Sequence, residues 1–121
     1  MANAKKPTPR RAASSGQAKP NHATAAANTA VAITLAAPEA GRRNSVKYLN
    51  WSYSAAPAGG RLSVTDATVV VLDIDITLAG SGSLSLTDGF QTTLAASAVV
   101  ATLAAGGAGV IGKLNVGSLV E

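Results

Sequence analysis

The sequence has no cysteine, a single histidine and only four aromatic residues in 121. Without cysteine there is no disulfide framework, zinc knuckle, iron–sulfur site or thiol nucleophile. The one histidine, His22, lies in a stretch with no large apolar residue around it. No rigid scaffold would hold it against a nucleophile, which argues against a Ser-His-Asp relay. Residues 2–30 contain no Val, Ile, Leu, Met, Phe, Trp or Tyr, so they hold no signal-peptide core, and Arg10-Arg11 is followed by Ala-Ala-Ser-Ser-Gly rather than an apolar run. The stretch that could suggest a membrane span, Leu94 to Ile111, is 18 residues without a charge and mostly Ala, Gly, Ser and Thr. A spanning helix made of it would gain little from lipid, and no membrane partner is expected.

What is present is unevenly distributed. Lys5, Lys6, Arg10, Arg11 and Lys19 stand in the first 30 residues without an acid, leaving five bases against six acids in the rest. The net charge of +4 therefore belongs to the N-terminal segment. Of 31 large apolar residues, all but Met1 follow residue 30, and 26 alanines supply much of the 47% hydrophobic content. Pro7, Pro9 and Pro20 break helices and Ser14-Ser15-Gly16 adds flexibility. The reading is two parts: an extended basic arm over residues 1–28 and one folded domain over 29–121.

From about residue 29 the pattern has period two. Val31, Ile33 and Leu35 share a face. Pro38, Gly41 and Arg42-Arg43 mark a loop, after which Leu49, Trp51 and Tyr53 share one face and Val46 and Tyr48 the other. Ala55 to Gly60 is a turn, Leu62 and Val64 continue, and Asp66 turns the chain. Val69 to Leu78 reads as the longest strand, with Leu72, Ile74, Ile76 and Leu78 inward and Asp73 and Asp75 in water. Gly80-Ser-Gly82 reads as a break, Leu84 and Leu86 as a strand, and Asp88-Gly89 as a turn. Residues 92–103 are read as strand rather than helix because Val99-Val100 and the threonines are β-formers. Gly106 to Gly109 turns the chain and Val110 to Val116 closes it. Seven or eight short strands with frequent turn signals predict an all-β, jelly-roll-like antiparallel sandwich.

Several motifs fail on context. Gly107-Ala-Gly109-Val-Ile-Gly112 fits a dinucleotide fingerprint, and Gly107 with Gly112-Lys113 most of a phosphate loop, but Leu114 stands where Ser or Thr is needed and nine residues remain after Gly112. A glycine turn between strands is the better reading. Asp73 and Asp75 alternate on a strand and read as a solvated face, and Asp66 and Asp88 as turn residues capping backbone amides. Trp51, Tyr48 and Tyr53 read as core, with a stacking platform for bases or sugars as the second reading. No catalytic, metal-binding or cofactor-binding residue is expected. The basic arm carries the most functional content. It lacks interleaved aromatics and the domain offers no basic continuation, which disfavours nucleic acid; the reading kept is a tether that lies along an acidic protein surface.

Two stretches, Ser52-Tyr53-Ser54-Ala-Ala-Pro57-Ala-Gly59-Gly60-Arg61-Leu62-Ser-Val64-Thr-Asp66 and Thr102-Leu103-Ala-Ala-Gly106-Gly107-Ala-Gly109-Val110, with Gly112-Lys113-Leu114-Asn115-Val116 after it, resemble small β-sandwich virion proteins of tailed bacteriophages. Among these are the cement, or decoration, proteins of the capsid exterior. The resemblance spans roughly residues 29–117. It implies a non-enzymatic protein without cofactors on the outer capsid surface, with the major capsid protein and copies of itself as partners, a dimer before a trimer. Lys5, Lys6, Arg10, Arg11 and Lys19 would then contact the capsid, with Arg42 and Arg43 as a secondary contact. An extended arm of 28 residues reaches roughly 90 Å at about 3.3 Å per residue. Similar sandwiches occur in phage tails and fibres, which leaves a host- or glycan-binding module as one alternative. A coat protein with an internal nucleic-acid-binding arm is the other.

Overall fold

The computed structural model describes residues 18–91 and 97–121, with the backbone alone at 87–91. Eight strands account for most of the described chain: β1 (Lys19–Thr24), β2 (Val31–Leu35), β3 (Asn44–Tyr53), β4 (Gly60–Asp66), β5 (Val69–Ile76), β6 (Gly80–Gln91), β7 (Val99–Leu103) and β8 (Gly112–Val120). Among the described residues there is no helix.

The strands pair in a nested series, β1 with β8, β2 with β7, β3 with β6 and β4 with β5, all antiparallel. The chain thus runs as one long hairpin whose tip is the turn at Ala67, a left-handed residue with φ of 57°. Folding that hairpin over itself adds the pairings β3–β8 and β4–β7 and produces two four-stranded sheets, ordered β1-β8-β3-β6 and β2-β7-β4-β5. This is a jelly-roll sandwich, the expected all-β architecture with eight strands.

The core lies between the sheets and follows the period-two alternation. Leu62, Val64, Val99, Ala101, Leu103, Leu114 and Val116 are all buried at alternate positions. Apolar side chains also line a cleft of about 80 Å³ between β3, β4, β5 and β6, bounded by Val46, Leu49, Val64, Val71, Leu72 and Leu86.

Several strand limits and facings differ from the expectation. Lys19–Thr24 belongs to the folded sandwich, because its backbone completes the edge of β8 through six antiparallel positions; Ala25 and Asn28 then donate backbone hydrogen bonds to Gly112 and Val110. The segment expected as arm over 1–28 is therefore folded from Lys19 onward. Val46 does not share the face of Tyr48: Lys47 is an extra residue in the ladder, which brings Val46 and Leu49 both into the core and turns Tyr48 outward. β5 stops at Ile76, and Leu78, expected inward, is 76% exposed.

The longest strand is β6, with 12 residues, and it absorbs both expected breaks. Gly82 is a strand residue whose missing Cβ makes room for the Trp51 indole, so close approach rather than a turn explains it. Asp88-Gly89 marks a ladder irregularity: Tyr48 pairs with Ser85 and Val46 with Phe90, leaving Leu86 to Gly89 opposite Lys47 alone. Residues 92–96, expected as strand, lie outside the described residues.

Candidate functional site: two sheet faces of different chemistry

The register places the outward residues of the β1-β8-β3-β6 sheet in three straight rows. The first is Thr24, Lys113, Ser52 and Ser81; the second is His22, Asn115, Asn50 and Ser83. The third is Pro20, Gly117, Tyr48 and Ser85. Hydroxyls and amides dominate, Lys113 is the one formal cation, and no position in the rows is a carboxylate. His22 is surrounded in its row by amides and a hydroxyl.

Two aromatic rings lean on glycines across strands. Ring carbons of Tyr48 occupy the space that a Cβ of Gly117 would need on the outer face, so the ring lies across the Gly117 backbone and stays partly exposed. Trp51 covers Gly82 in the same way on the core side. Tyr53 is fully buried, and its hydroxyl donates to the carbonyl of Ala104 at 2.6 Å. The three aromatics of β3 consequently form no common platform. Tyr53 is core, Trp51 closes the core margin, and Tyr48 alone presents a ring outward.

The outer face of the β2-β7-β4-β5 sheet differs in kind. One row runs Ala32, Thr102, Ser63 and Asp73, and the next runs Thr34, Val100, Thr65 and Val70. Arg61 sits opposite Asp75 but reaches diagonally to Asp73, with Nε on Oδ1 at 2.6 Å and Nη2 on Oδ2 at 2.8 Å. These hydrogen bonds hold the Asp73 carboxyl below the ordinary carboxylate range and raise the Arg61 guanidinium further. Asp73 and Asp75 thus face solvent as expected, in a sheet face that carries charge at one edge.

A buried polar cluster closes one end of the sandwich. Asn44 donates to the carbonyls of Ala36 at 3.2 Å and Ser97 at 3.0 Å, and the Ser97 hydroxyl donates to the fully buried carboxylate of Asp66. The cluster joins β3, the end of β4 and the two loops that precede β3 and β7. In sequence Asp66 reads as a turn residue with no sign of its burial, and Asn44 gives none either, because a polar residue at a strand start carries no burial signal.

The expected contact residues fall in different places. Lys19 opens β1 at a sheet edge and is exposed. Lys5, Lys6, Arg10 and Arg11 lie outside the described residues. Arg42 pairs with Glu39 at 3.4 Å and donates to the carbonyl of Val120 at 3.2 Å, while the backbone of Arg43 pairs with Glu121 in both directions. The loop of Arg42 and Arg43 is thereby fastened to the C-terminal end of β8. The glycine motif is a turn: Gly107 and Gly109 are left-handed, with φ of 102° and 76°, and Gly112 opens a strand, not a helix. Among the described residues no group of three or more His, Cys, Asp or Glu could hold a metal ion.

No protein-family profile matches the chain, and no curated protein matches it. Similar solved structures include the carbohydrate-binding module CBM36 in complex with calcium and xylotriose, at 17% identity and a TM-score of 0.37 over 81% of this chain and 76% of that one. Dimeric latent PorU from Porphyromonas gingivalis aligns at 8% identity and a TM-score of 0.35, over 85% of this chain and 13% of that one. A structure of Bacillus endospore appendages, described as disulfide-linked pili, aligns at 13% identity and a TM-score of 0.29, over 86% and 90%. Likenesses this distant carry no function, and the jelly-roll assignment rests on the strand order of the chain itself.

Proposed function

We propose that this chain is a non-enzymatic structural protein of a bacteriophage virion, a cement protein of the outer capsid surface. Its jelly roll is the compact body, and the basic N-terminal segment tethers it to neighbouring copies of the major capsid protein. The resemblance in the turns around Gly59-Gly60 and Gly106 to Gly109 supports the reading. The observation that carries it is how the basic segment joins the body. Lys19 begins an edge strand, so the stretch of sequence that carries Lys5, Lys6, Arg10 and Arg11 is joined to the body at a margin of the sandwich. Four cations on such a segment can act on a distant acidic surface while the body makes its own contacts, and two linked contacts bind far more tightly than either alone. Association with copies of itself, as a dimer before a trimer, is part of the same proposal.

The test is decoration of capsids that lack the protein. The full chain is expected to bind and to appear outside the shell in a virion reconstruction, and a chain lacking residues 2–17 to bind far more weakly. Equal decoration by both would overturn the tether. A chain located inside the shell, with the arm on packaged nucleic acid, would replace cement with a coat-protein role.

A further inference from the structure

We infer that the outer face of the β1-β8-β3-β6 sheet binds a neutral carbohydrate, centred on Tyr48, Asn50 and Asn115. Strand spacing and residue rise put the outward side chains on a grid of about 4.8 Å by 7 Å, the scale of a pyranose ring. On that grid Asn50 and Asn115 are direct cross-strand neighbours, and Asn50 is also paired with Ser83. Each amide offers two donors and an acceptor, and each hydroxyl one donor and two lone pairs, a set that matches sugar hydroxyls in either direction.

Tyr48 supplies the apolar half of such a site. Its ring rests on Gly117, two residues along β8 from Asn115, and is braced there because Gly117 has no Cβ to displace it. A ring held this way loses little freedom on binding and presents a negative π-surface to the partly positive C–H groups of a sugar face. Ser85 lies beside it across the strand pair.

Charge decides the class of ligand. The rows contain no carboxylate, their one cation, Lys113, stands two residues from Asn115 on the side away from Tyr48, and Lys47, the neighbour of Tyr48 in the chain, is paired with Glu121 at 3.2 Å. A polyanion would need a run of cations across the face, and a basic protein segment would need carboxylates. A neutral hydroxylated ligand needs neither. The sheet face bearing Arg61, Asp73 and Asp75 lacks this combination, so the inference applies to one side of the sandwich alone.

The experiment is affinity electrophoresis of the full chain in native gels containing dextran, mannan, galactan or xylan, with heparin and DNA gels as polyanion controls. Retardation by at least one polysaccharide is expected. Asn50→Ala and Asn115→Ala, at surface positions, are expected to weaken it about tenfold each, the worth of one well-made hydrogen bond. Tyr48→Ala should weaken it further, while Thr102→Ala on the opposite sheet should leave it unchanged. No retardation in any gel would overturn the inference. So would retardation that both asparagine variants retain, or retardation confined to a heparin or DNA gel and abolished by salt. Since Tyr48→Ala also removes the cover of Gly117, the asparagine variants decide the outcome if that protein fails to fold. Capsid decoration is read separately, so failure of either proposal leaves the other standing.

Discussion

The phenol of Tyr53, the last residue of β3, donates a 2.6 Å hydrogen bond to the carbonyl of Ala104, just beyond β7 in the opposite sheet. The same oxygen accepts from the backbone N–H of Arg61 at 3.4 Å. One buried hydroxyl thus joins the two sheets at the end of the sandwich where the glycine turns gather.

Tyr53→Phe keeps the ring and removes both bonds, leaving the Ala104 carbonyl short of a donor. Urea unfolding should show a loss of about 1–2 kcal/mol. Burial raises the Tyr53 pKa above its ordinary value of 10.0, against the smaller opposing effect of the Arg61 amide. Above pH 10 the unfolded phenol ionises first, so the native state then holds more protons than the unfolded state and loses stability as pH rises. Unfolding free energy should fall through this range in the parent protein and fall less steeply in Tyr53→Phe.

Asn44 is 3% exposed and bridges two carbonyls, those of Ala36 and Ser97, from separate loops. Asn44→Ala leaves both without that donor in a buried setting, and a loss of about 2 kcal/mol is expected in denaturant unfolding. Asn44→Asp should be worse, since a carboxylate brings acceptors to acceptors. A stability equal to the parent's would show that water replaces the amide.

The ring of Tyr48 fills the place of a Gly117 side chain, so Gly117→Ala forces the ring off its seat. The cost should be about 1–3 kcal/mol, as for other overpacked sites. In Tyr48→Ala the same glycine substitution should cost almost nothing, because the obstructing ring is gone. A double-mutant cycle measures the difference as coupling, and two additive losses would show that the ring can leave freely.

Arg61 and Asp73 form a bidentate pair, but each side chain is about half exposed, at 50% and 47%. Solvent screens such a pair, so its contribution is small and sensitive to salt. Asp73→Asn should destabilise less than any buried substitution above, and the difference should disappear in high salt. Because its folded pKa is depressed, Asp73 stabilises the native state above its ordinary value of 3.8, and that contribution is lost as the pH falls through the folded pKa. The asparagine variant should lack that acid dependence.

Much of this architecture is legible in alternation, and its limits are physical. Val31, Ile33 and Leu35, or Leu114 and Val116, alternate with exposed residues and report their facing directly. Val46 does not, because one extra residue at Lys47 reverses the parity and only the ladder reveals it. Leu78 continues the alternation of β5 in sequence, yet the strand has ended two residues earlier. The polar face was legible strand by strand but not as a surface. Asn50, Ser83 and Asn115 become neighbours through register, which a single strand's pattern does not encode.

The boundary of the arm yields the sharpest contrast between two nearly identical truncations. Removing residues 2–17 leaves β1 intact and should leave the melting temperature close to that of the full chain. Removing residues 1–28 takes away β1, the bond from Ala25 to Gly112 and that from Asn28 to Val110. It also removes Ala23 and Ala25, which pack on the core, and the Asn21 amide that bonds the Val116 carbonyl and the Ser118 hydroxyl at 3.1 Å. β8 would become an edge with unpaired backbone groups beside the buried Leu114 and Val116, a surface that invites association. The longer truncation should therefore melt lower or aggregate, and a loss of capsid binding in it would confound tethering with unfolding. Thermal melts of both chains separate the two effects: equal melting temperatures would mean that β1 contributes nothing to the fold.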